Sequence, residues 1–139
     1  MTQRAQVEQA QRLNPGIEFR QGNMLSPDIE DAAWGGIVAF YSIIHVSRSE
    51  VAAALAGMRR VLCPGGLLLL AFHVGDETLH LAEWWGQAVS VDFHFFRPQE
   101  MAASLRAAGF EVEEAVEREP YPDVEHQSRR CYVFARRPG

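Results

Sequence analysis

Residues 36–72 read GIVAFYSIIHVSRSEVAAALAGMRRVLCPGGLLLLAF, and the order of apolar run, helical stripe and second apolar run within them decides the fold. Ile37-Val38-Ala39-Phe40-Tyr41 shows no polar alternation, which is the pattern of a strand buried on both faces and hence of a parallel sheet. Ser47-Arg48-Ser49-Glu50 has the spacing of a capping box, with Val46 and Val51 placed as a hydrophobic staple, so a helix is predicted to start at Ser47. Val51, Leu55, Met58 and Leu62 then recur at i, i+4, i+7 and i+11, and Arg59-Arg60 fall in the last turn, where the dipole favours cations. Pro64-Gly65-Gly66 ends the helix, with positive φ expected at Gly65 or Gly66. Leu67–Phe72 is a second wholly apolar strand, so the stretch is a βαβ unit with a right-handed crossover.

Upstream, TQRAQVEQAQRL (residues 2–13) is rich in helix formers and is stopped by Asn14-Pro15-Gly16. Ile17-Glu18-Phe19-Arg20-Gln21 alternates apolar and polar up to Gly22, which predicts a short strand. Downstream, Leu81, Trp84, Trp85 and Ala88 fall at i, i+3, i+4 and i+7, the spacing of a further helix. Another helix is predicted from Pro98 through Met101 and Leu105 to Gly109, with Phe110 set to touch Leu105 in a Schellman-type cap. Glu111–Glu117 and Cys131–Arg136 read as two last strands around a polar 118–128 loop. The predicted order is α, β, β, α, β, α, α, β, β: one α/β domain over residues 1–139, without repeat or linker.

Composition agrees with one core: 139 residues, 47% hydrophobic and 22% charged, are enough to fold without a metal or disulfide staple. The net charge is −5, and residues 71–139 set seven Arg against twelve acids while residues 1–70 balance six against six. The pairs Arg59-Arg60, Arg129-Arg130 and Arg136-Arg137 are interleaved with acids and make no basic face, so no nucleic-acid partner is expected. Every basic residue is Arg, which excludes lysine Schiff-base chemistry. No apolar run reaches the roughly 18 residues of a membrane span, so no membrane partner is expected. The polar start MTQRAQVEQAQR lacks a signal sequence, which makes the cytoplasm the expected compartment. Cys63 and Cys131 belong to no CxxC or Cys/His cluster and read as buried small hydrophobes. The five histidines show no ligand spacing, so no metal site is expected.

Four stretches carry a family resemblance: Gly22-Asn23-Met24; Gly36 through His45; Met58-Arg59-Arg60-Val61-Leu62-Cys63-Pro64-Gly65-Gly66-Leu67-Leu68-Leu69; and Phe96-Arg97-Pro98 to Ala108-Gly109-Phe110. Over about residues 2–137 the chain resembles the later two-thirds of a class I S-adenosylmethionine-dependent methyltransferase of the UbiE-like, type-11 small-molecule group. Cys63 stands where that group has Lys in LKPGG, and Asn23 where it has Asp. The resemblance implies a Rossmann-like methyltransferase sheet, mostly parallel with an antiparallel last strand and N-terminally truncated, because the sequence contains no GxG and the family's first two strands have no counterpart. The implied activity is methyl transfer from S-adenosylmethionine to a small organic acceptor. The alternative is a non-catalytic, truncated module acting in dimerisation or partner binding.

In an open α/β sheet ligands lie beyond the carboxyl ends of the strands, which singles out Asn23-Met24, Phe40–His45 and His73. By resemblance Asn23 meets the adenine amine, Met24 the adenine face, and Phe40 and Tyr41 the methionine moiety. His45 and His73 are the imidazoles at that edge able to take a proton from an acceptor. Trp84, Trp85, Phe93, Phe95 and Phe96 lie where the family places its variable substrate cover. Strand 36–41 would have an unpaired edge without the two absent strands, so a homodimer is expected through residues 2–13, 17–21 and 36–41.

Overall fold

The computed structural model describes residues 3–139. The βαβ unit forms: β1 (Trp34–Phe40) lies parallel to β2 (Leu62–His73), with α2 (Val51–Val61) between them. The helix does not begin at Ser47. A 3₁₀ turn over Arg48–Glu50 precedes α2, and Ser47 Oγ donates to Glu50 Oε1 at 3.0 Å and meets Ser49 Oγ at 3.2 Å, so it caps no backbone N–H. Side chains that satisfy each other leave the capping box without its backbone half. Val46 and Val51, the staple pair, are both buried in the core. Leu62 leaves the helical stripe to become the first residue of β2, which runs on through Pro64-Gly65-Gly66. Gly65 has φ +82°, and a Cβ on Gly66 would stand 2.8 Å from the Cys63 carbonyl oxygen.

Two further elements complete the sheet. β6 (Arg130–Arg136) inserts between β2 and β5 (Glu111–Arg118), antiparallel to both, giving the order β1-β2-β6-β5. One pairing of three among the described strands is parallel, so the sheet is mixed and not mostly parallel. The helix α3 (Pro98–Ala107) ends as predicted: Phe110 N–H donates to the Leu105 carbonyl and Gly109 N–H to that of Arg106, both at 3.0 Å, with Gly109 at φ +93°. Those two bonds are the Schellman pair. Together α2, α3 and the 43–45 turn bury Leu68, Leu70, Phe72, Cys131, Val133 and Ala135 on one face of the sheet, with Phe72 edge-on to Phe96. Cys131 is buried and Cys63 half-buried, both free thiols.

Two predicted elements are corrected. The helix through Leu81, Trp84, Trp85 and Ala88 is a hairpin, β3 (Thr78–Trp84) and β4 (Gln87–His94), closed by Trp85-Gly86 with φ of +54° and +75°. Positive φ at both turn residues matches the right-handed twist of a two-residue hairpin, and Leu79/Leu81 against Val91/Phe93 supply its alternation. Residues 17–21 form no strand. Ile17 lies in a bend and residues 18–21 carry no regular structure, and the Gln11 side chain of α1 (Gln3–Leu13) binds the segment: its amide donates to the Ile17 carbonyl at 3.0 Å and accepts from Phe19 N–H at 3.3 Å. Thr2, the predicted start of α1, lies outside the described residues. Among the described residues no helix is long and apolar enough to cross a membrane.

Candidate functional site

The loop before β1 is held by Arg60, whose guanidinium donates to the Pro27 carbonyl at 2.8 Å and to the Ile29 carbonyl and Asp31 Oδ1 at 2.7 Å each. Ala32 N–H returns a bond to the Arg60 carbonyl. So anchored, the loop presents Asn23 in a tight turn, its Oδ1 accepting from Leu25 N–H at 3.0 Å, while Met24 and Leu25 lean on the core. Asn23 and Met24 face Ile37, Val38, Ala39 and Ser42 across a cleft of about 710 Å³ that follows the free edge of β1. The cleft keeps residues 18–24 apart from β1, whose outer edge they leave unpaired.

Beyond the end of β1 the chain turns at Tyr41, whose φ of +52° is rare for a bulky residue and is held by its N–H donating to the Ala71 carbonyl at 2.9 Å. Its ring lies 5.1 Å from that of His73 at the end of β2. His73 Nδ1 pairs with Ser128 Oγ at 2.6 Å, and the ring stacks on Phe95 and meets His126 edge-on. Burial, then the nearby Arg130 charge, lowers the His73 pKa to about 4, so the imidazole is neutral around pH 7. Phe40 is 52% exposed and meets Tyr132 edge-on.

The carboxyl edge thus brings Phe40, Tyr41 and His73 together, with Asn23 and Met24 across the neighbouring cleft. His45 is turned toward the hairpin instead: its Nδ1 lies 3.3 Å from the Asp92 carbonyl oxygen and its ring against Phe93. Sequence reasoning missed the group behind Tyr41. Arg130, 4% exposed, bonds Glu125 Oε2 at 2.5 Å, the His126 carbonyl at 2.8 Å and the Tyr41 hydroxyl at 3.3 Å. Arg118 grips both Glu125 oxygens, and this pairing first, then the Tyr121 N–H, holds the Glu125 carboxyl down at about 2. The one available signal was Arg129-Arg130 at the start of an otherwise apolar strand.

A SAM-dependent methyltransferase from Methanosarcina mazei superposes with a TM-score of 0.78 at 15% identity, over 95% of this chain and 77% of that one. The chain has the fold of a SAM-dependent methyltransferase. The Burkholderia thailandensis 1,6-didemethyltoxoflavin-N1-methyltransferase, solved with 1,6-didemethyltoxoflavin and S-adenosylhomocysteine, matches at 0.71 and 21% identity, over 95% of this chain and 56% of that one. The same methyltransferase-like fold is shared by the [4+2]-cyclase SpnF, at 0.66 and 19% identity, over 96% of this chain and 60% of that one. This chain therefore spans between about half and three-quarters of the length of these neighbours. A family model described as a methyltransferase domain matches residues 1–66, which contain the Asn23-Met24 turn, β1 and α2. No curated protein matches the sequence.

Proposed function

We propose that this chain belongs to the UbiE-like, small-molecule group and takes part in methyl transfer from S-adenosylmethionine to a small organic acceptor, in the cytoplasm. The observation that carries the reading is the shared cleft: Asn23 and Met24 face Ala39 and Ser42 across it, at the carboxyl edge where ligands of open α/β sheets lie. About 710 Å³ is within the range of small-molecule sites. The cofactor fits one end of it: Asn23 Oδ1 has a second lone pair for an adenine amine, Met24 offers an apolar face, and the Phe40–Tyr41 backbone lies at the methionine end. The sulfonium, when bound, supplies an already activated methyl group. His73, neutral and beside Tyr41, is the imidazole set to touch an acceptor; His45 would reach it only from the hairpin side. The bound ligands of the Burkholderia neighbour support this reading.

Calorimetric titration of the chain with S-adenosylhomocysteine tests it, with binding expected to weaken several-fold in Asn23→Ala. Millimolar or absent binding would sink the enzyme and favour a second reading, a non-catalytic module. That reading draws on the free edge of β1, where Val38 is 66% exposed. An unpaired strand edge flanked by exposed apolar side chains favours self-association, through residues 2–13, 17–21 and 36–41. Light scattering on wild type and Val38→Asp checks it: a dimer that the substitution splits is expected, and a monomer in both cases would rule it out.

A further inference from the structure

α2, α3 and the 43–45 turn cover one face of the sheet; the other carries Phe40, Tyr132 and Val116, with no helix over them among the described residues. At the carboxyl edge of this open face two phenols meet. The Tyr41 and Tyr132 hydroxyl oxygens are 3.2 Å apart. Arg130 reaches the Tyr41 oxygen at 3.3 Å and lies over its ring, and the Arg118 guanidinium lies over the rings of Tyr121, at 4.3 Å, and Tyr132, at 5.9 Å. Glu125 is the carboxylate among them, and both its oxygens are engaged by these two arginines. The hydroxyl pair therefore sits before two permanent cations balanced by one anion, with the neutral His73 beside it.

Such surroundings favour an oxyanion at one of the two hydroxyls. Tyr132 lies below the ordinary phenol range, first because of its hydrogen bond with Tyr41 and then because both guanidiniums face it. Tyr41 is held above that range by burial and by the same bond. Of the two, Tyr132 is the hydroxyl whose surroundings favour the anion. His73 is a poor rival as a base, because its Nδ1 is engaged by Ser128 and its ring resists protonation.

We propose that the Tyr41–Tyr132 pair is the proton-accepting group of the site and that the acceptor it serves carries an acidic hydroxyl, a phenol or an enol. This rests on the methyl-transfer reading above. In the step the acceptor's O–H bond breaks, an O–H bond forms on the Tyr132 oxygen, and the electron pair stays on the acceptor oxygen. With Tyr132 ionised, one negative charge moves from its oxygen to the acceptor, so the charge facing Arg118 and Arg130 is unchanged. A base works best on an acid of similar strength, which selects a phenolic or enolic hydroxyl over an aliphatic alcohol. Phe40 and Tyr121, both half-exposed beside the pair, offer flat apolar surface to a planar acceptor.

The test needs no known acceptor. In a spectrophotometric titration of the full chain, one of the three tyrosines is expected to ionise before the other two. That early step should vanish in Tyr132→Phe and move to higher pH in Tyr41→Phe. With 4-nitrophenol as probe, whose colour reports ionisation, the wild type should bind the phenolate at least tenfold more tightly than Tyr132→Phe, while S-adenosylhomocysteine binding is equal in the two. Three phenols titrating together, an early step that survives Tyr132→Phe, or equal or absent nitrophenol binding would each overturn the proposal and leave cofactor binding standing. Loss of S-adenosylhomocysteine binding alone, with the early phenol intact, would instead remove methyl transfer and leave the phenol site.

Discussion

His73 makes the fold sensitive to mild acid, and the size of the effect can be worked from its surroundings. In the unfolded chain its ring takes up a proton near the ordinary 6.5; in the fold it does so only at about 4, because burial and the Arg130 charge oppose the cation. Between those two values the unfolded state binds more protons than the native state, so stability falls as pH falls through the window. A fully shielded ring would lose about 3 kcal/mol at roughly 1.4 kcal/mol per tenfold. His73 is about half-buried, and solvent screening reduces this to about 1–2 kcal/mol. His73→Phe keeps a ring against Tyr41 and Phe95 and gives up the Ser128 bond, a constant offset. In unfolding free energies from urea titrations between about pH 7.5 and about pH 4.5, the wild type should lose that amount relative to the variant on acidification. Parallel curves would refute the reasoning, since other acid-sensitive groups are common to both proteins.

Other expectations concern single contacts. Gly66→Ala should destabilise by about 2–4 kcal/mol, because its Cβ meets the Cys63 and Gly35 carbonyls, whereas Gly65→Ala, strained but open, should lose about 1 kcal/mol; thermal melting of the pair gives the order. Ser47→Ala should fall within about 0.5 kcal/mol of wild type, since Ser47 caps no backbone N–H; a loss near 1 kcal/mol in urea unfolding would restore the capping box. Arg60→Met should lose about 1–2 kcal/mol and loosen the Asn23 loop, seen as faster amide exchange over residues 23–31. Glu125, whose carboxyl is held down at about 2 by Arg118, should lose its contribution to the fold as pH drops from about 4.5 toward 2, and Glu125→Gln should flatten that part of the acid limb.

What could be read from the sequence was what neighbours along the chain decide. The Gly109 cap needs only residues 105–110, and β1, α2 and β2 follow from their apolar runs, although β2 starts at Leu62 and runs through the Pro64-Gly65-Gly66 expected to divide helix from strand. The errors arose where two patterns coexist or where a partner is needed. Leu81, Trp84, Trp85 and Ala88 lie at helical spacing, yet Leu79/Leu81 and Val89/Val91/Phe93 also alternate, and the turn that decides between them is Trp-Gly where Asn-Gly would be the familiar signal. Ile17–Gln21 alternates as a strand should, but alternation supplies no neighbour. For the site, the rule of carboxyl ends brought Tyr41 and His73 together. Arg118, Glu125 and Arg130 escaped it, because their meeting depends on a loop folding back over the edge.

The direction of β6 has a consequence for how this sequence can change over time. Because β6 runs against β2, its first residues reach the carboxyl edge, and Tyr132 stands opposite Ala71 while Cys131 and Val133, its neighbours, point into the core. Losing a single codon inside β6 would turn Tyr132 inward and bring a core side chain out beside Tyr41, dismantling core and edge together. Codons added at the hairpin tip, around the 91% exposed Trp85, touch neither. Lineages of this chain should therefore vary in length at the tip of the hairpin and keep the spacing from Arg130 to Arg136 fixed.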